Sequence, residues 1–398
     1  MSVFQSDTLK ADIDERIPDL VAMRRDLHEH PETAFEEVRT SNIVAQRLKA
    51  LNLEVQTGVA KTGVVGLLRG EAAGEQVRTI AIRADMDALP ILEQTEVDYR
   101  SQVDGKMHAC GHDGHTSILL TVADILSRRR DELKGNIKFI FQPAEEVVGG
   151  AEPMVKEGAI DGADGVIGLH LISGQPLGKV GVRSGTVFAS ADKLALTVHG
   201  RGGHGGMPST TVDPIVIASH IITALQMLIS RETLPFSPAV VTIGTIHGGT
   251  ASNIIPETVE LTGTMRAWSA EHRAYLTRRI QEVASGVAMA LGGSCDVRVF
   301  DGCPACVNDE QMTALVHQAA IDAVGEENVL VGESVLTTGA DDMAYFLNAV
   351  PGCYFIVGAG EEEKGSIYPH HHPRFNINEG ALPIAVETLV RSALAFLQ

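Results

Sequence analysis

Short apolar runs alternate with amphipathic stretches through the first 186 residues of the chain. The apolar runs GVVGLL (63–68), RTIAIRADMDALP (78–90), GNIKFIFQPAEE (135–146) and GVIGLHL (165–171) predict strands, several of which end at polar side chains. Apolar residues at helical spacing predict helices over residues 12–28, 41–51 and 115–130. Strands that alternate with helices indicate an α/β sheet flanked by helices, in which functional side chains collect at strand ends.

The pattern changes between residues 192 and 299. The predicted elements there follow the order strand, helix, strand, strand, helix, strand, which is typical of a ferredoxin-like unit. Beyond it the α/β pattern resumes, with predicted helices at 312–324 and 381–397 and an apolar strand at 352–358. We therefore predict a two-domain α/β protein, in which an α/β domain formed by residues 1–186 and 301–398 is interrupted by an inserted βαββαβ domain at residues 187–300.

The acidic composition narrows the classes of partner. The 398 residues include 32 basic and 51 acidic side chains, a formal net charge of -19, which repels nucleic acid and anionic membrane surfaces and favours a small-molecule partner. The N-terminal segment lacks a basic stretch before an apolar core, and no uninterrupted apolar run approaches the roughly 20 residues of a membrane helix, so we expect a cytoplasmic protein. Five cysteines, an odd number, do not imply a disulfide framework.

The segment HACGHDGH, residues 108–115, concentrates ligand-type side chains. With it, further candidates stand at predicted element boundaries: Cys110 and His112, Glu145 and Glu146, His170, and the run His370, His371 and His372. A thiolate, imidazoles and a carboxylate suit zinc and other divalent transition metals such as manganese, cobalt or nickel. Five ligands exceed what one catalytic ion with an open position requires, whereas two ions that share a bridging ligand would use them well.

The adjacent pair Glu145 and Glu146 follows a predicted strand and turn, so the two side chains diverge. One of them can bind metal while the other holds a water molecule. A carboxylate beside a metal-bound water is the arrangement for general-base hydrolysis, because the metal lowers the pKa of that water from about 15.7 towards 7.

A series of motifs covers nearly the whole chain. In order they are RRDLHEHPETAFEE, IRADMDALP, MHACGHDGHTSILL, QPAEE, GLHL, GRGGHGGMPSTTVDP, SNIIPE, GTMR, GADDMAYF, VPGCYFIVG and HHHPRFNINEGALP. This series resembles the metal-dependent amidohydrolases that include hippurate hydrolases, aminoacylases and plant indole-acetyl-amino-acid hydrolases. The resemblance implies a dinuclear hydrolase that cleaves the amide bond of N-acyl amino acids. A carboxypeptidase acting on dipeptide-like substrates and a non-catalytic metal- or metabolite-binding relative are the alternatives.

The resemblance also implies roles for residues of the α/β domain, which would be the catalytic one. Cys110 bridges two divalent ions of manganese, zinc, nickel or cobalt. The remaining ligands are His112, Glu146, His170 and His371, and Glu145 is the catalytic base. His371 is preferred among the three consecutive histidines because the family ligand stands two residues before the proline, here Pro373, which leaves His370 and His372 to line the site. Asp85 and Asp113 are expected to orient ligand imidazoles.

For the inserted domain the resemblance implies a lid and dimerisation role in a homodimer or higher homo-oligomer. His204 is expected to donate to the developing oxyanion, commonly from the neighbouring subunit. Asn253 and Arg266 are expected near the substrate, with Arg266 as a clamp for its carboxylate. Many relatives carry a longer glutamate where GADDM places Asp341, which predicts an altered contact with the substrate.

Two further motifs have alternative interpretations. CPAC at residues 303–306 has the spacing of a thiol redox motif, but no thioredoxin-type helix follows it, and buried thiols are the favoured interpretation. GRGGHG at residues 200–205 matches the dinucleotide fingerprint G-x-G-x-x-G. No acidic residue lies roughly 20 positions further on, and the βαββαβ order differs from a parallel crossover series, so a dinucleotide site is not predicted.

Overall fold

The structure, a computed structural model, describes residues 6–72, 74, 77–234, 237–364 and 366–398. The chain divides into two compact units. The first comprises Met1–Val187, Val307–Leu336 and Asp341–Gln398, and the second comprises Phe188–Cys306 and Thr337–Ala340. The chain therefore forms most of the first unit, builds the second, and then returns to the first.

The regular elements of the described residues are numbered in chain order. The helices are α1 (Ser6–Glu29), α2 (Val38–Ala50), α3 (His112–Ser127), α4 (Ala151–Lys156), α5 (Pro214–Met227), α6 (Ala270–Ala290), α7 (Glu310–Val324), α8 (Met343–Ala349) and α9 (Ala381–Phe396). The strands are β1 (Glu54–Val59), β2 (Gly63–Leu68), β3 (Thr79–Asp85), β4 (Asn136–Gln142), β5 (Gly165–Pro176), β6 (Val180–Gly181), β7 (Gly185–Phe188), β8 (Ala191–His199), β9 (Gly203–His204), β10 (Ala239–Gly248), β11 (Ile254–Ile255), β12 (Thr258–Ala267), β13 (Ser294–Cys303), β14 (Cys306–Asn308), β15 (Val329–Leu330) and β16 (Gly352–Gly360).

The first unit is built on a mixed eight-stranded sheet with the strand order β1-β2-β4-β3-β5-β16-β6-β15. Its centre is parallel, from β4 through β3 and β5 to β16, and β1 and β2 add antiparallel strands on one side. All seven residues of β3 are buried. Parallel strands covered on both faces need apolar residues on both faces, which explains the continuous apolar runs of the sequence.

The register of the parallel strands brings the polar strand ends to one edge of the sheet. Asp85 pairs with Gln142 between β3 and β4, and Arg83 pairs with Gly168 between β3 and β5. The carboxyl ends of parallel strands meet at the same edge of a sheet. Asp85, the turn after β4 and His170 in β5 therefore lie at neighbouring places along this edge.

The helix predicted at residues 115–130 begins earlier, at His112. Gly111 precedes it with φ 90°, a left-handed conformation that a side chain disfavours. The glycine lets the chain turn sharply into the helix. As a result His112 lies in the first turn of α3 rather than in a loop.

The second unit has a four-stranded antiparallel sheet with the order β10-β12-β8-β13. Together with α5 and α6, this gives the chain order βαββαβ of the predicted ferredoxin-like unit. Its core contains Leu196 from β8, Ile221 from α5 and Ile280 from α6. The predicted α/β class with an inserted ferredoxin-like unit is confirmed. The strand β13 extends to Cys303, beyond the residue 300 at which the insert was predicted to end.

Among the described residues, one helical stretch, Pro214–Glu232, is long and apolar enough to cross a membrane by length and composition alone. Within the second unit, this stretch buries Ile217, Ile221 and Leu225 in the core. Its apolar character is therefore accounted for on one face by packing against the sheet of that unit.

Several elements of the described residues were not predicted, namely β1, the helices α4 and α8, and the strands of two to four residues β6, β7, β9, β11, β14 and β15. The strand β1 is mostly exposed and its sequence EVQTGV lacks a continuous apolar run, while α4 and α8 have six and seven residues. Helices this short span less than two turns of periodic pattern, so the spacing of apolar residues carries little signal for them.

Candidate metal centre

Cys110 lies where the predicted ligands converge. Its Sγ atom is 3.5 Å from Nε2 of His170. Cys110, His112 and His170 form one group whose ligand atoms all lie within 4.8 Å of one another, and Cys110, Glu146 and His371 form a second such group. The structure thus brings the five predicted ligand residues together in two groups that share the Cys110 sulfur.

Two consecutive histidines approach this cluster from one loop. Nε2 of His371 lies 3.2 Å from Oε2 of Glu146, and Nδ1 of His370 lies 3.4 Å from Sγ of Cys110. His372 stacks on the ring of Tyr368, with 4.7 Å between ring centroids. The choice of His371 as a ligand stays a prediction, and His370 stands at the thiol side of the same cluster.

Two buried polar atoms of the predicted ligand residues have no hydrogen-bond partner among the described residues. They are Nε2 of His112 and Oε1 of Glu146, which lie 3.9 Å apart. Oε2 of Glu145 is also 3.9 Å from the same His112 nitrogen. The predicted divergence of the two glutamate side chains is therefore wrong, because their carboxylates converge on His112 with ligand atoms within 4.8 Å of one another. Buried polar atoms rarely stay unpartnered, and a nitrogen beside two carboxylate oxygens is a donor set for a divalent transition metal. The residues present therefore fit such an ion.

The pKa shifts of Cys110 and His112 also indicate a site for a cation. Burial and the nearby Glu146 raise the pKa of the Cys110 thiol well above its usual value. Burial alone would lower the pKa of His112, but Asp85, Asp87 and Cys110 together more than offset this, and the pKa is raised well above its usual value. Metal ligation requires a thiolate and a neutral imidazole. A bound cation would therefore displace protons that the protein otherwise retains on Cys110 and His112.

Asp87, to which the sequence analysis assigned no role, orients both sides of the cluster. Its carboxylate accepts hydrogen bonds from the backbone N–H groups of Glu145 and Glu146, each at 3.0 Å. Its backbone carbonyl is 2.9 Å from Nδ1 of His112, which fixes Nδ1 as a donor and leaves Nε2 towards the cluster. The available signal in the sequence was its position just past the end of β3.

Glu37 supports the turn that carries the two glutamates, and it too was not assigned in the sequence. Its carboxylate accepts hydrogen bonds from the backbone N–H of Ala144 at 2.9 Å and of Phe35 at 3.0 Å, and from the hydroxyl of Thr62 at 2.6 Å. Burial raises the pKa of Glu37, with those hydrogen bonds acting in the opposite direction. The carboxylate thereby satisfies backbone groups that the tight turn leaves without a partner.

Arg83 is a fully buried cation among carboxylates at the same edge of the sheet. Its guanidinium lies 2.6 Å from Asp85, 3.2 Å from Asp341 and 3.1 Å from Asp342. Burial, reinforced by Asp341 and opposed by Arg83, raises the pKa of Asp342 to about 7. Asp341 also accepts a hydrogen bond from the Tyr354 hydroxyl at 2.6 Å and is only 2% exposed. Asp341 thus makes buried contacts with Arg83 and Tyr354, and the altered substrate contact expected from its shorter side chain stays a prediction.

The two predicted orienting carboxylates differ. Asp85 is 2.6 Å from Nδ1 of His115 and 3.7 Å from Nε2 of His112. Asp113 instead contacts Arg24 at 2.9 Å and Nδ1 of His28 at 2.8 Å. The expectation that Asp113 orients a ligand imidazole is thus corrected, because successive residues of a helix point about 100° apart.

The predicted residues of the insert lie in the second unit. His204 is exposed in β9, and the N–H of Gly205 donates to the carbonyl of Asn253 at 2.8 Å, which keeps His204 and Asn253 close together. Both stand near the Thr258 end of β12, because β9 pairs with β11 just before that strand. Arg266 lies eight residues further along β12, about 26 Å at the rise of an extended strand. Within one copy of the second unit, Arg266 and His204 therefore lie far apart.

The motifs CPAC (303–306) and GRGGHG (200–205) have structural explanations. Cys303 and Cys306 are both fully buried, whereas thiol exchange requires an accessible sulfur. In the glycine-rich loop, a Cβ atom on Gly202 would come within 2.8 Å of the carbonyl of Ile255, and one on Gly205 within 3.0 Å of the carbonyl of Asn253. These glycines allow the close approach of β9 to β11.

Comparisons with known proteins agree with this centre. Residues 81–395 match the family described as Peptidase family M20/M25/M40. The chain is 39% identical over 394 residues to the thermostable carboxypeptidase 2 of Saccharolobus solfataricus, covering 98% of each chain, and 37% identical over 380 residues to the N-acetylcysteine deacetylase of Bacillus subtilis, covering 95% of this chain and 97% of the relative. It is similar to the crystal structure of a dinuclear metal binding peptidase of family M20 from Bacillus subtilis, with a TM-score of 0.83 and 34% identity over 96% of this chain and 99% of the other.

Backbone strain marks the turn that carries the glutamates. Ala144 and Val148, on either side of the turn, have φ of 55° and 53°, and His371 has φ of 65°. The left-handed conformation costs roughly 1–2 kcal/mol for a residue with a Cβ atom, and a β-branched residue such as valine rarely adopts it. Strain of this kind is typical of functional sites.

Val148→Gly is expected to raise the free energy of unfolding by about 1 kcal/mol, because glycine adopts this φ without the Cβ penalty. Val147, the preceding and also exposed residue, is not among the residues of positive φ and provides the matched control. Val147→Gly is expected to lower the free energy of unfolding by about 0.5–1 kcal/mol. Urea denaturation of both variants measures the difference, and equal losses in both would contradict strain at Val148.

Proposed function

The chain belongs to peptidase family M20/M25/M40 and is a metal-dependent hydrolase, and from this premise we propose that it hydrolyses the amide bond of N-acyl amino acids. The observation that carries the proposal is the pair of ligand groups that share Cys110, with the carboxylate of Glu145 beside them. A deacetylase of N-acetylcysteine among the relatives supports this substrate class. The net charge of -19 also favours a small-molecule substrate over a nucleic acid.

Two divalent ions of manganese, zinc, nickel or cobalt would be held by Cys110 as the shared ligand, with His112 and His170 on one side and Glu146 and His371 on the other. When bound, such ions polarise a carbonyl and lower the pKa of water. Around them the protein supplies fixed groups: the carboxylate of Asp87 accepts hydrogen bonds from the backbone of Glu145 and Glu146 and holds the turn that carries both side chains.

Glu145 is the proposed general base. Burial and the neighbouring Asp341 and Asp342 raise the pKa of Glu145 well above its usual value, which makes the carboxylate a stronger proton acceptor. In the proposed reaction Glu145 takes a proton from the attacking water and then delivers it to the leaving nitrogen. The products are a carboxylate and a free amine.

His204 and Arg266 are proposed to act on one substrate from two copies of the chain. His204 would donate to the developing oxyanion and Arg266 would bind the substrate carboxylate, with Asn253 beside His204. The estimated separation of about 26 Å along β12 keeps His204 and Arg266 of one copy apart. A homodimer in which each site receives His204 from the partner subunit resolves this separation.

The surface of the second unit supports this dimer. The strand β10 lies at the edge of its sheet, with most of its residues exposed from Thr242 onward. Ile215 and Val216 of α5 and Ile246 of β10 are large apolar side chains that stay 42%, 49% and 50% exposed. An exposed strand edge beside apolar side chains is typical of a surface that pairs with another chain.

A carboxypeptidase acting on dipeptide-like substrates is the second candidate, supported by the carboxypeptidase relative from Saccharolobus solfataricus. Both reactions cleave an amide next to a carboxylate and require the same residues. Rates measured on matched N-acetyl, N-benzoyl and indole-acetyl amino acids and on dipeptides distinguish the two. Higher kcat/KM for the dipeptides would replace the first candidate with the second.

Glu145→Gln is expected to lower kcat on N-acyl amino acids by about 10²–10⁴-fold, because the amide cannot accept the proton. The variant should keep the metal content of the wild type, since Glu145 is not among the proposed ligands. Activity and metal content are measured on protein reloaded with manganese, cobalt, nickel or zinc after chelation. If the reloaded wild type holds two ions and hydrolyses none of the amides, a non-catalytic metal-binding protein is the correct interpretation.

His204→Ala is expected to lower kcat by about 10²–10³-fold with unchanged metal content. The partner's contribution is tested by mixing equal amounts of the His204→Ala and Glu145→Gln proteins under conditions of subunit exchange. If His204 acts across the dimer, half of the dimers are mixed and each holds one complete site, so activity returns to about a quarter of that of the wild type. Mixtures as inactive as their components would contradict action across the dimer.

A further inference from the structure

His115 is a buried histidine that none of the proposed catalytic or metal-binding roles uses. It lies in α3, one turn after His112, and its side chain packs edge-on against His170 with 4.8 Å between ring centroids. We propose that His115 is a positioning residue, which holds His170 in place through the backbone amide of Leu171. The proposal deepens the proposed function, because it rests on His170 being a ligand of the two-ion centre.

Hydrogen bonds on both ring nitrogens define the orientation of His115. The backbone N–H of Leu171 points at Nε2 of His115, at 3.0 Å. A backbone N–H can only donate, so Nε2 is the acceptor and the proton of the neutral ring is on Nδ1. Nδ1 then donates to Oδ1 of Asp85, at 2.6 Å.

The same chain of contacts continues to His170. The carbonyl oxygen of Leu171 lies 2.9 Å from Nδ1 of His170, which makes Nδ1 the donor and leaves Nε2 directed at Cys110, 3.5 Å away. The polar groups of Leu171 are therefore fixed at both ends, by His115 on the N–H and by His170 on the carbonyl. His115 thus holds, through the peptide groups of Leu171, the residue whose carbonyl orients the ring of His170.

Asp85, which anchors this series of hydrogen bonds, is held rigidly. Asp85 is fully buried and accepts a second hydrogen bond from Arg83 at 2.6 Å. Its backbone carbonyl accepts a hydrogen bond from the Thr116 hydroxyl at 2.9 Å. The contacts join the end of β3 to the first turns of α3, and a ligand imidazole held in this way loses little freedom when it binds an ion.

A direct ligand role for His115 is disfavoured by the same contacts. Asp85, His112 and His115 do form a group with ligand atoms within 4.8 Å of one another. Both ring nitrogens of His115, however, are engaged, and a metal on Nε2 would displace the N–H of Leu171 and leave it buried without an acceptor. The loss of such a hydrogen bond is costly in a buried site.

Two substitutions separate the contacts of His115. In His115→Asn the amide lies at the place of Nδ1 and keeps a donor for Asp85, but it does not reach Leu171. In His115→Gln the amide extends to the place of Nε2 and keeps an acceptor for the N–H of Leu171. Thr116→Val is the matched control, because it removes the neighbouring buried hydrogen bond to Asp85 from the same helix.

The test is a titration of the chelated proteins with Co²⁺. Binding is monitored by the visible absorption of the ion and by the thiolate-to-cobalt charge-transfer band. We expect the wild type to bind two equivalents. His115→Asn should weaken one equivalent by about 10–100-fold and alter its visible spectrum, while the other stays unchanged. His115→Gln should restore most of the affinity, and Thr116→Val should bind as the wild type does.

Each contrary result has a distinct meaning. If the wild type binds two equivalents and folded His115→Asn binds both with unchanged affinity and spectrum, the positioning role is wrong while the proposed function stands. If Thr116→Val or His115→Gln loses as much affinity as His115→Asn, the effect is general loosening and the positioning role is again wrong. If the wild type binds no cobalt, the two-ion centre itself fails, and the inference fails with it.

Discussion

A buried excess of negative charge beside Cys110 is the constraint on which the rest of the structure depends. Glu146 lies beside the thiol, and Asp85 and Glu145 lie beside His112. The guanidinium of Arg83 contacts Asp85 and the adjacent aspartates 341 and 342. Burying carboxylates without compensation is costly, and a raised pKa, as on Glu145, is the usual response. The proposed divalent cations would compensate this charge at the two ligand groups that share Cys110.

The fold builds this centre from parts that are far apart in the chain. The parallel centre of the sheet aligns the ends of β3, β4 and β5, and α3 begins at the same edge with His112 in its first turn. Asp87 then fixes the centre in two ways. Its carboxylate accepts hydrogen bonds from the backbone of Glu145 and Glu146, and its backbone carbonyl orients the ring of His112. The strained φ of Ala144 and Val148 shows that this turn is shaped for its side chains rather than for local stability.

Apolar periodicity in the sequence was sufficient to predict the α/β class and the ferredoxin-like insert, and ligand-type side chains at element boundaries indicated the candidates around Cys110. The choice of His371 among three consecutive histidines came from the family resemblance. Asp113 was misassigned, since its neighbour His112 faces the cluster and the helix turns Asp113 towards α1 instead. Asp87 and His115 were missed because they act through backbone amides of distant residues, and a backbone amide has no signature in the sequence. The roles of His204, Asn253 and Arg266 rest on resemblance and on the separation of His204 from Arg266 along β12.

The central claim is that one sulfur joins two ions. An anomalous difference map from crystals of the zinc-loaded protein, recorded on both sides of the zinc absorption edge, tests it most directly. The account predicts two peaks, each about 2.3 Å from Sγ of Cys110, one also bonded to His112 and His170 and the other to Glu146 and His371. A single peak, or two peaks of which one has no bond to Cys110, would contradict it.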